Sequence, residues 1–229
     1  MIYIAHIEND YTEKFGIPRQ SGMVSNLSKI VFEKEFAIPD AIRGIEDFNY
    51  IWLIWDFSEM HRVKWSPTVR PPVLGGNRRM GVFATRSPNR PNSIGLSSVR
   101  LVRAVSEGEG APYLVVEGAD LMNGTPILDI KPYVFSDCHP DATEGFNSVG
   151  HDRHVDVVIP EDAAKIVPAE KLEALKELLS CDPRPSYQND PQRVYGLSYG
   201  GFEIKFSVDD KILIVKSIEK SSAKADSPA

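Results

Sequence analysis

Acidic residues are missing from the middle of this 229-residue chain. No aspartate or glutamate occurs between Met60 and Ser106, yet the whole chain has a formal charge of −6. A basic segment that is free of carboxylates in an acidic protein favours a polyanion or a phosphate-bearing ligand, although a solvated basic face would leave the same pattern. The segment holds nine cations, of which eight are arginine: Arg62, Lys64, Arg70, Arg78, Arg79, Arg86, Arg90, Arg100 and Arg103.

Cysteines and long apolar runs are also scarce. The two cysteines, Cys138 and Cys181, are too few for a disulfide framework and favour reduced thiols in the cytosol. The densest apolar run, residues 51–55, is too short to span a bilayer. The first eight residues lack the basic region of a signal peptide. We therefore expect a soluble, cytoplasmic protein with no membrane partner.

Two further absences exclude common enzyme classes. No Gly-x-Gly-x-x-Gly string follows a strand-like run, and strands do not alternate with helices, so a Rossmann-type nucleotide fold is not expected. No nucleophile elbow, Ser/His/Asp order or paired-carboxylate pattern is present, which disfavours a hydrolase.

What the first 135 residues do contain is a series of short runs rich in β-branched and aromatic residues. Turn residues separate these runs, and no long amphipathic helix lies between them. The pattern predicts a mainly β fold, with an all-β barrel or sandwich in the N-terminal domain. The predicted strands are residues 2–7, 29–32, 50–56, 80–85, 97–105, 113–117 and 127–133.

The C-terminal part has a different character. Leucines at helical spacing after Pro168 predict a helix over residues 168–179. Two apolar runs, 202–208 and 211–218, flank Asp209-Asp210 and predict a hairpin. We therefore expect four regions: a β-barrel at residues 1–140, a polar linker at 141–160, a small α+β domain at 161–220 and a disordered tail at 221–229.

Prolines and glycines shape the segment at residues 65–92, which cannot be regular strand throughout. Arg86 and Arg90 lie four residues apart, and Pro88 and Pro91 stiffen the path around them. Two rigidly placed guanidinium groups can clamp an anion at low entropic cost. The structural alternative is that the arginines brace the loop against backbone carbonyls.

Two weaker patterns lie outside this segment. Cys138, His139, His151 and His154 could be drawn as a zinc site, but their spacing matches no standard pattern, so we expect no metal. Arg184 and Tyr187 follow the predicted helix and could contact an anticodon stem through phosphate contacts and stacking. A capped helix end explains them equally well.

The string Gly-Val-Phe-Ala-Thr-Arg-Ser-Pro-Asn-Arg-Pro-Asn at residues 81–92 resembles the hallmark of the TsaA-like (YaeB/TrmO) tRNA methyltransferase family. Three further stretches resemble family motifs in the same order, namely residues 18–20, 70–76 and 120–133. Asp-Pro-Arg-Pro-Ser-Tyr at 182–187 is similar to a motif of the two-domain bacterial members. The resemblance covers residues 1–220.

This resemblance implies a β-barrel that binds S-adenosylmethionine, and a homodimer with the cofactor near the subunit interface. It also implies methylation of N6 of threonylcarbamoyladenosine at position 37 of tRNA, so the partner would be the tRNA anticodon stem-loop. The alternative is a non-catalytic module that binds tRNA or a nucleotide through the same basic loop.

Matching the motifs residue by residue gives three sets of expected site residues. One departure concerns the cofactor-binding set: some relatives carry His-Gln where this chain has Ser58-Glu59. Asn92 would orient the modified base, and Arg90 or Arg86 would bind its threonyl carboxylate. The cofactor-binding set is Pro18, Arg19, Gln20, Ser58, Glu59, Arg86, Leu96, Asp120, Leu121, Gly124, Thr125 and Pro126; the catalytic set is Arg86, Arg90 and Asn92; the tRNA-binding set is Arg70, Arg78, Arg79, Arg184 and Tyr187.

Overall fold

The computed structural model describes residues 1–61, 65–150, 154–184, 188 and 190–221. Twelve strands and two α-helices lie in these ranges, with short 3-10 turns between them. None of the helices in these ranges is long and apolar enough to cross a membrane. The elements are β1 (Ala5–Glu8), β2 (Leu27–Phe32), β3 (Tyr50–Asp56), β4 (Thr68–Val69), β5 (Met80–Gly81), β6 (Ile94–Val105), β7 (Tyr113–Glu117), β8 (Pro126–Pro132), β9 (Asp156–Val158), α1 (Glu161–Ala164), α2 (Ala169–Ser180), β10 (Tyr195–Tyr199), β11 (Phe202–Asp209) and β12 (Ile212–Lys220).

Six strands close into an antiparallel barrel in the order β1-β2-β7-β6-β3-β8. Alternate residues of each strand face the interior, as the period-2 pattern requires. Ile51 and Leu53 of β3 and Leu114 and Val116 of β7 are fully buried there. The predicted mainly β fold with an N-terminal barrel is therefore confirmed.

Trp55, at the end of β3, packs against a glycine on the neighbouring strand. A side chain at Gly95 of β6 would bring its Cβ to 2.2 Å from the Trp55 ring. The backbone of β6 can therefore lie against the indole only because residue 95 has no side chain. Trp55 also contacts Ser97, two residues further along β6, through a hydrogen bond of its indole.

The C-terminal unit is a four-stranded sheet in the order β10-β11-β12-β9, with β9 parallel to β12. Helix α2 buries Leu175, Leu178 and Leu179 in its core, and both the predicted helix and the predicted hairpin (β11 and β12) are present. Strand β9 lies within residues 141–160, which were expected to form a polar linker. Three residues are too few for their period to be recognised, and their strand character comes from pairing with β12.

The connection between β1 and β2, residues 9–26, is embedded in this second unit. Tyr11 and Val24 belong to the apolar cluster of the C-terminal unit, not to that of the barrel. A Cβ at Gly16, whose φ is +89°, would lie 2.1 Å from Cδ1 of Leu197 on β10. We call residues 9–26 the β1–β2 loop; it carries the Pro18-Arg19-Gln20 motif.

One predicted strand is largely wrong. Of residues 80–85, only Met80–Gly81 is extended, and it pairs with β4 alone. The chain then turns at Val82–Ala84, where the hydroxyl and the backbone N–H of Thr85 both donate to the Val82 carbonyl. The β-branched and aromatic residues of this run therefore shape a loop, and Phe83 is left exposed.

Candidate functional site

Three segments that are distant in sequence meet at the Arg86 guanidinium. Nη1 of Arg86 donates to Oε1 of Gln20 on the β1–β2 loop. Its positive charge also acts on the Asp120 carboxyl, where it opposes the rise in pKa that burial causes. Residues 20, 86 and 120 come from three of the five motifs that the resemblance rests on, so the fold brings these motifs to one place.

Asp120 lies at the end of a chain of hydrogen bonds that begins inside the barrel. The indole Nε1 of Trp55 donates to Oγ of Ser97 at 3.0 Å, and this hydroxyl donates to Oδ1 of Asp120 at 2.5 Å. Burial raises the pKa of the Asp120 carboxyl; the Ser97 hydroxyl and the Arg86 charge oppose that rise. Because Ser97 is 1% exposed, this buried series of hydrogen bonds holds Oδ1 of Asp120 in place and restricts the Asp120 side chain.

The segment that follows Asp120 is held by its backbone. The Asn9 side-chain amide donates to the Leu121 carbonyl at 2.8 Å. Gly124, with φ at +78°, donates its N–H to the carbonyl of Ile7 at 2.7 Å. The Leu121 side chain is fully buried, and the Thr125 hydroxyl donates to the Met122 carbonyl at 2.7 Å. Leu121 and Thr125 thus also hold the turn in shape, and Pro126 begins β8.

The remaining expected cofactor residues differ in their exposure and in the segments that they contact. Leu96 is 55% exposed on the outer face of β6. Ser58 and Glu59 are exposed in a 3-10 turn after β3. Pro18 is buried, and Arg19 donates from Nη2 to the carbonyl of Asp182 in the C-terminal unit at 3.1 Å. The Arg19 guanidinium thus contacts the C-terminal unit, whereas Gln20 contacts Arg86.

Arg90 braces its own loop. Its Nη1 donates to the carbonyl oxygens of Thr85 at 2.7 Å and Val82 at 3.3 Å, and its guanidinium lies 5.7 Å from the centre of the Phe83 ring. This is the structural alternative considered from the sequence. The geometry therefore favours Arg86 over Arg90 for anion binding. Asn92 is exposed at the end of the same loop.

The expected tRNA-binding arginines fall into two classes. Arg70, Arg78 and Arg79 are exposed on the small β4–β5 sheet and its flanks. Arg184 is 6% exposed, and its Nε and Nη2 donate to the two carboxyl oxygens of Asp182 at 2.8 and 3.0 Å. A buried, bidentate ion pair favours the helix-end interpretation of Arg184 over a contact with tRNA. Tyr187, Arg62 and Lys64 lie outside the described residues.

A cavity of about 430 Å³ opens beside Arg86. One wall is formed by residues 83–86 and the other by residues 143–147, part of the connection between the two units. A smaller cavity of about 190 Å³ lies between the barrel and α2, where Glu117 and Glu177 are among its lining residues. Sequence reasoning missed Phe83 and residues 143–147, because the first read as strand and the second as polar linker.

The side chains at the centre fit one kind of ligand group better than a metal. Within the described ranges, no three His, Cys, Asp or Glu side chains lie close enough to hold a metal ion, and His151 falls outside those ranges. Arg86 and Asp120 instead bring a guanidinium charge within electrostatic range of a carboxyl. Such a pair complements a group that carries both a carboxylate and an ammonium, as the amino-acid end of S-adenosylmethionine does.

Comparisons with known proteins find relatives over most of the chain. The model of the tRNA-methyltransferase O N-terminal domain matches residues 6–138, and that of the TrmO C-terminal domain matches residues 153–221. A tRNA (adenine(37)-N6)-methyltransferase of Escherichia coli K12 is 35% identical over 94% of this chain and 96% of its own length. A putative S-adenosylmethionine-dependent methyltransferase of Pseudomonas aeruginosa is 38% identical over 85% of this chain and 86% of its own length.

A solved structure extends the similarity to three dimensions. The crystal structure of TrmO from Pseudomonas aeruginosa superposes with a TM-score of 0.74 at 29% sequence identity. The match covers 95% of this chain and 97% of that protein.

Proposed function

The chain belongs to the tRNA-methyltransferase O family and is a tRNA (adenine37-N6)-methyltransferase, and we propose that its substrate is threonylcarbamoyladenosine at position 37, methylated on N6 with S-adenosylmethionine as the donor. The observation that carries the proposal is the convergence of Gln20, Arg86 and Asp120 beside an open cavity. The alternative of a non-catalytic binding module has no support among the relatives described above, which carry methyltransferase names.

We assign the amino-acid end of the cofactor to the Arg86–Asp120 pair. Arg86 would hold the carboxylate and Asp120 the ammonium, since both side chains are already fixed by Gln20 and Ser97. Leu96 offers exposed apolar surface nearby on β6 for the rest of the molecule. When bound, S-adenosylmethionine supplies a methyl group on a positively charged sulfur.

The chain's own contribution to catalysis is positioning. Transfer from a sulfonium removes charge, so correct alignment matters more than electrostatic stabilisation and can contribute about 7–11 kcal/mol. Asn92, exposed at the end of the motif loop, is the group we assign to orient the modified base. With Arg86 assigned to the cofactor, Arg90 is the remaining arginine of this loop for the threonyl carboxylate; its Nη1 also donates to two loop carbonyls.

The exposed arginines of the β4–β5 region would meet the tRNA backbone. Arg70, Arg78 and Arg79 carry no acidic neighbour in sequence, which suits sequence-independent phosphate contacts. We also propose that the enzyme acts in the cytoplasm, in keeping with a tRNA substrate. We further propose a homodimer, supported by the exposed apolar residues Ile94 and Leu96 on the outer face of β6.

Transfer of a labelled methyl group to tRNA tests the proposal. Two tRNA samples are compared, one with and one without the threonylcarbamoyl group on adenosine 37. We expect labelling of the marked tRNA only, with the label on N6 of that nucleoside. Equal labelling of both samples would refute the proposed substrate, and labelling at another nucleoside would refute the proposed target.

A further inference from the structure

The cavity between residues 83–86 and residues 143–147 has the size and wall chemistry of a nucleoside site. Its volume, about 430 Å³, falls within the range of about 300–1,000 Å³ that small-molecule pockets occupy. Phe83 and Phe146 both line it, one from each of the two segments, and Thr143, Asn147 and Arg86 supply polar groups. A planar base needs this combination: aromatic surface for stacking and a few groups that bind its edge.

The position of the cavity links it to the reaction. Arg86 lines it and also donates to Gln20 on the β1–β2 loop. A ligand in the cavity would therefore contact the same side chain that we assign to the cofactor, so the cavity adjoins the assigned cofactor site.

The walls of the cavity suit a base better than a phosphate chain. The ring of Phe83, which is 69% exposed, offers a stacking surface that a phosphate chain does not need. Bases of a single-stranded tRNA loop can be turned out of the stack into such a pocket.

We propose that this cavity receives the target nucleoside, turned out of the anticodon loop, and that Phe146 is a stacking residue that positions it. The inference rests on the proposed function, because the nucleoside is the one that the enzyme methylates. Residues 143–147 lie between the two ranges that the family models match, 6–138 and 153–221. The connection between the two units thus completes the acceptor site and is more than a tether.

Binding of an anticodon stem-loop that carries the modified adenosine tests the proposal directly. Affinity is measured by fluorescence anisotropy on the full chain saturated with S-adenosylhomocysteine, and cofactor affinity is measured separately by calorimetry. Phe146→Ala should weaken stem-loop binding roughly five- to hundredfold, the effect of losing one base–aromatic stack. The dissociation constant for the cofactor should stay within about twofold, because Arg86 and Gln20 are unchanged.

Three further variants make the result specific. Phe146→Tyr keeps the ring and should bind like the unaltered protein. Phe135→Ala removes another exposed aromatic residue, which is 94% exposed and does not line the cavity, and should also have no effect. Thr143→Trp adds bulk at an exposed position on the cavity wall and should block the stem-loop without altering cofactor binding.

Two results would overturn the inference. Stem-loop affinity that is unchanged in both Phe146→Ala and Thr143→Trp would show that the nucleoside binds elsewhere. Cofactor affinity that falls in parallel would assign the cavity to the cofactor. Failure of the proposed function looks different, since the unaltered protein would then bind the stem-loop, respond to these variants, and still transfer no methyl group to it.

Discussion

Asp120 shows how a single side chain connects stability to ligand binding in this protein. Burial raises the pKa of its carboxyl above the usual 3.8, so the folded state holds the proton more tightly than the unfolded chain does. The ionised carboxyl therefore costs stability at neutral pH. This cost disappears as the pH falls through the raised pKa towards 3.8. A residue that destabilises the free protein in this way is retained, in our account, for the cofactor's ammonium group.

Asp120→Asn separates the two roles. The amide oxygen can still accept from the Ser97 hydroxyl, so we expect the melting temperature at pH 7 to be unchanged or raised. The difference from the unaltered protein should shrink as the pH is lowered towards 4. Cofactor affinity, measured by calorimetry, should fall roughly tenfold to hundredfold, because a hydrogen bond to a charged group contributes about 1.5–3 kcal/mol.

Asp129→Asn is the matched control for that experiment. Asp129 lies on barrel strand β8, where its carboxylate pairs with Lys131 at 2.9 Å at the protein surface. Its substitution should leave cofactor affinity unchanged. An Asp120→Asn variant that binds the cofactor normally would remove Asp120 from the site.

The two arginines of the motif loop should respond differently to truncation. Arg90→Ala removes the donor to two loop carbonyls, and we expect the free energy of unfolding to fall by about 1–3 kcal/mol. Arg86→Ala should leave that free energy nearly unchanged and weaken cofactor binding at least tenfold. Denaturant unfolding and calorimetry on both variants measure this contrast, and identical profiles for the two variants would contradict it.

At the scale of the strand, β3 and β6 position the hydrogen-bond chain that ends at Asp120. Their register pairs Trp55 with Gly95 and Leu53 with Ser97. The close approach at Gly95 lets the indole Nε1 of Trp55 reach the Ser97 hydroxyl at 3.0 Å. The position of the Asp120 carboxyl thus depends on the packing of Trp55 against Gly95.

Gly95→Ala tests that dependence. Its Cβ would meet the Trp55 ring at 2.2 Å, so the strands must separate or the indole must move. We expect a loss of about 1–3 kcal/mol in the free energy of unfolding, as in other overpacked cores, together with weaker cofactor binding. Gly196→Ala on β10 is the control, because a Cβ there meets nothing within 4 Å; equal effects of the two substitutions would contradict the account.

Some strands could be predicted from the sequence, and one could not. Apolar runs such as residues 50–56 and 113–117 have the period of a half-buried strand, and both form strands with those bounds. Residues 80–85 are also apolar, but only Met80–Gly81 pairs with β4, and the chain then turns where the Val82 carbonyl accepts the N–H and the hydroxyl of Thr85. The lack of a longer pairing partner is not visible in local composition.

At the scale of the whole molecule, the C-terminal unit holds the β1–β2 loop in shape. The Glu177 carboxylate on α2 accepts from both the backbone N–H and the hydroxyl of Ser25 at 2.6 Å. Lys171 on the same helix pairs with Asp10 at 2.7 Å. Since this loop carries Gln20, the second unit supports the cofactor site that we propose. Motifs could not reveal this role, because these contacts join residues about 150 positions apart in sequence.

Glu177→Ala should therefore act on the cofactor and spare the tRNA. We expect the KM for S-adenosylmethionine to rise several-fold, with kcat and the KM for tRNA nearly unchanged, because only the β1–β2 loop loses its support. Glu173→Ala, on the same helix but with a side chain 74% exposed, is the control and should behave like the unaltered protein. A rise in the KM for tRNA alone would assign α2 to substrate binding instead.

The most direct test of the central claim is a crystal structure of the protein with S-adenosylhomocysteine. The account predicts the amino-acid end of that ligand within hydrogen-bond distance of the Arg86 guanidinium and the Asp120 carboxyl, with the cavity beside Phe146 left open for the nucleoside. Ligand density in the smaller cavity near Glu117 and Glu177, with Arg86 and Asp120 out of contact, would contradict it.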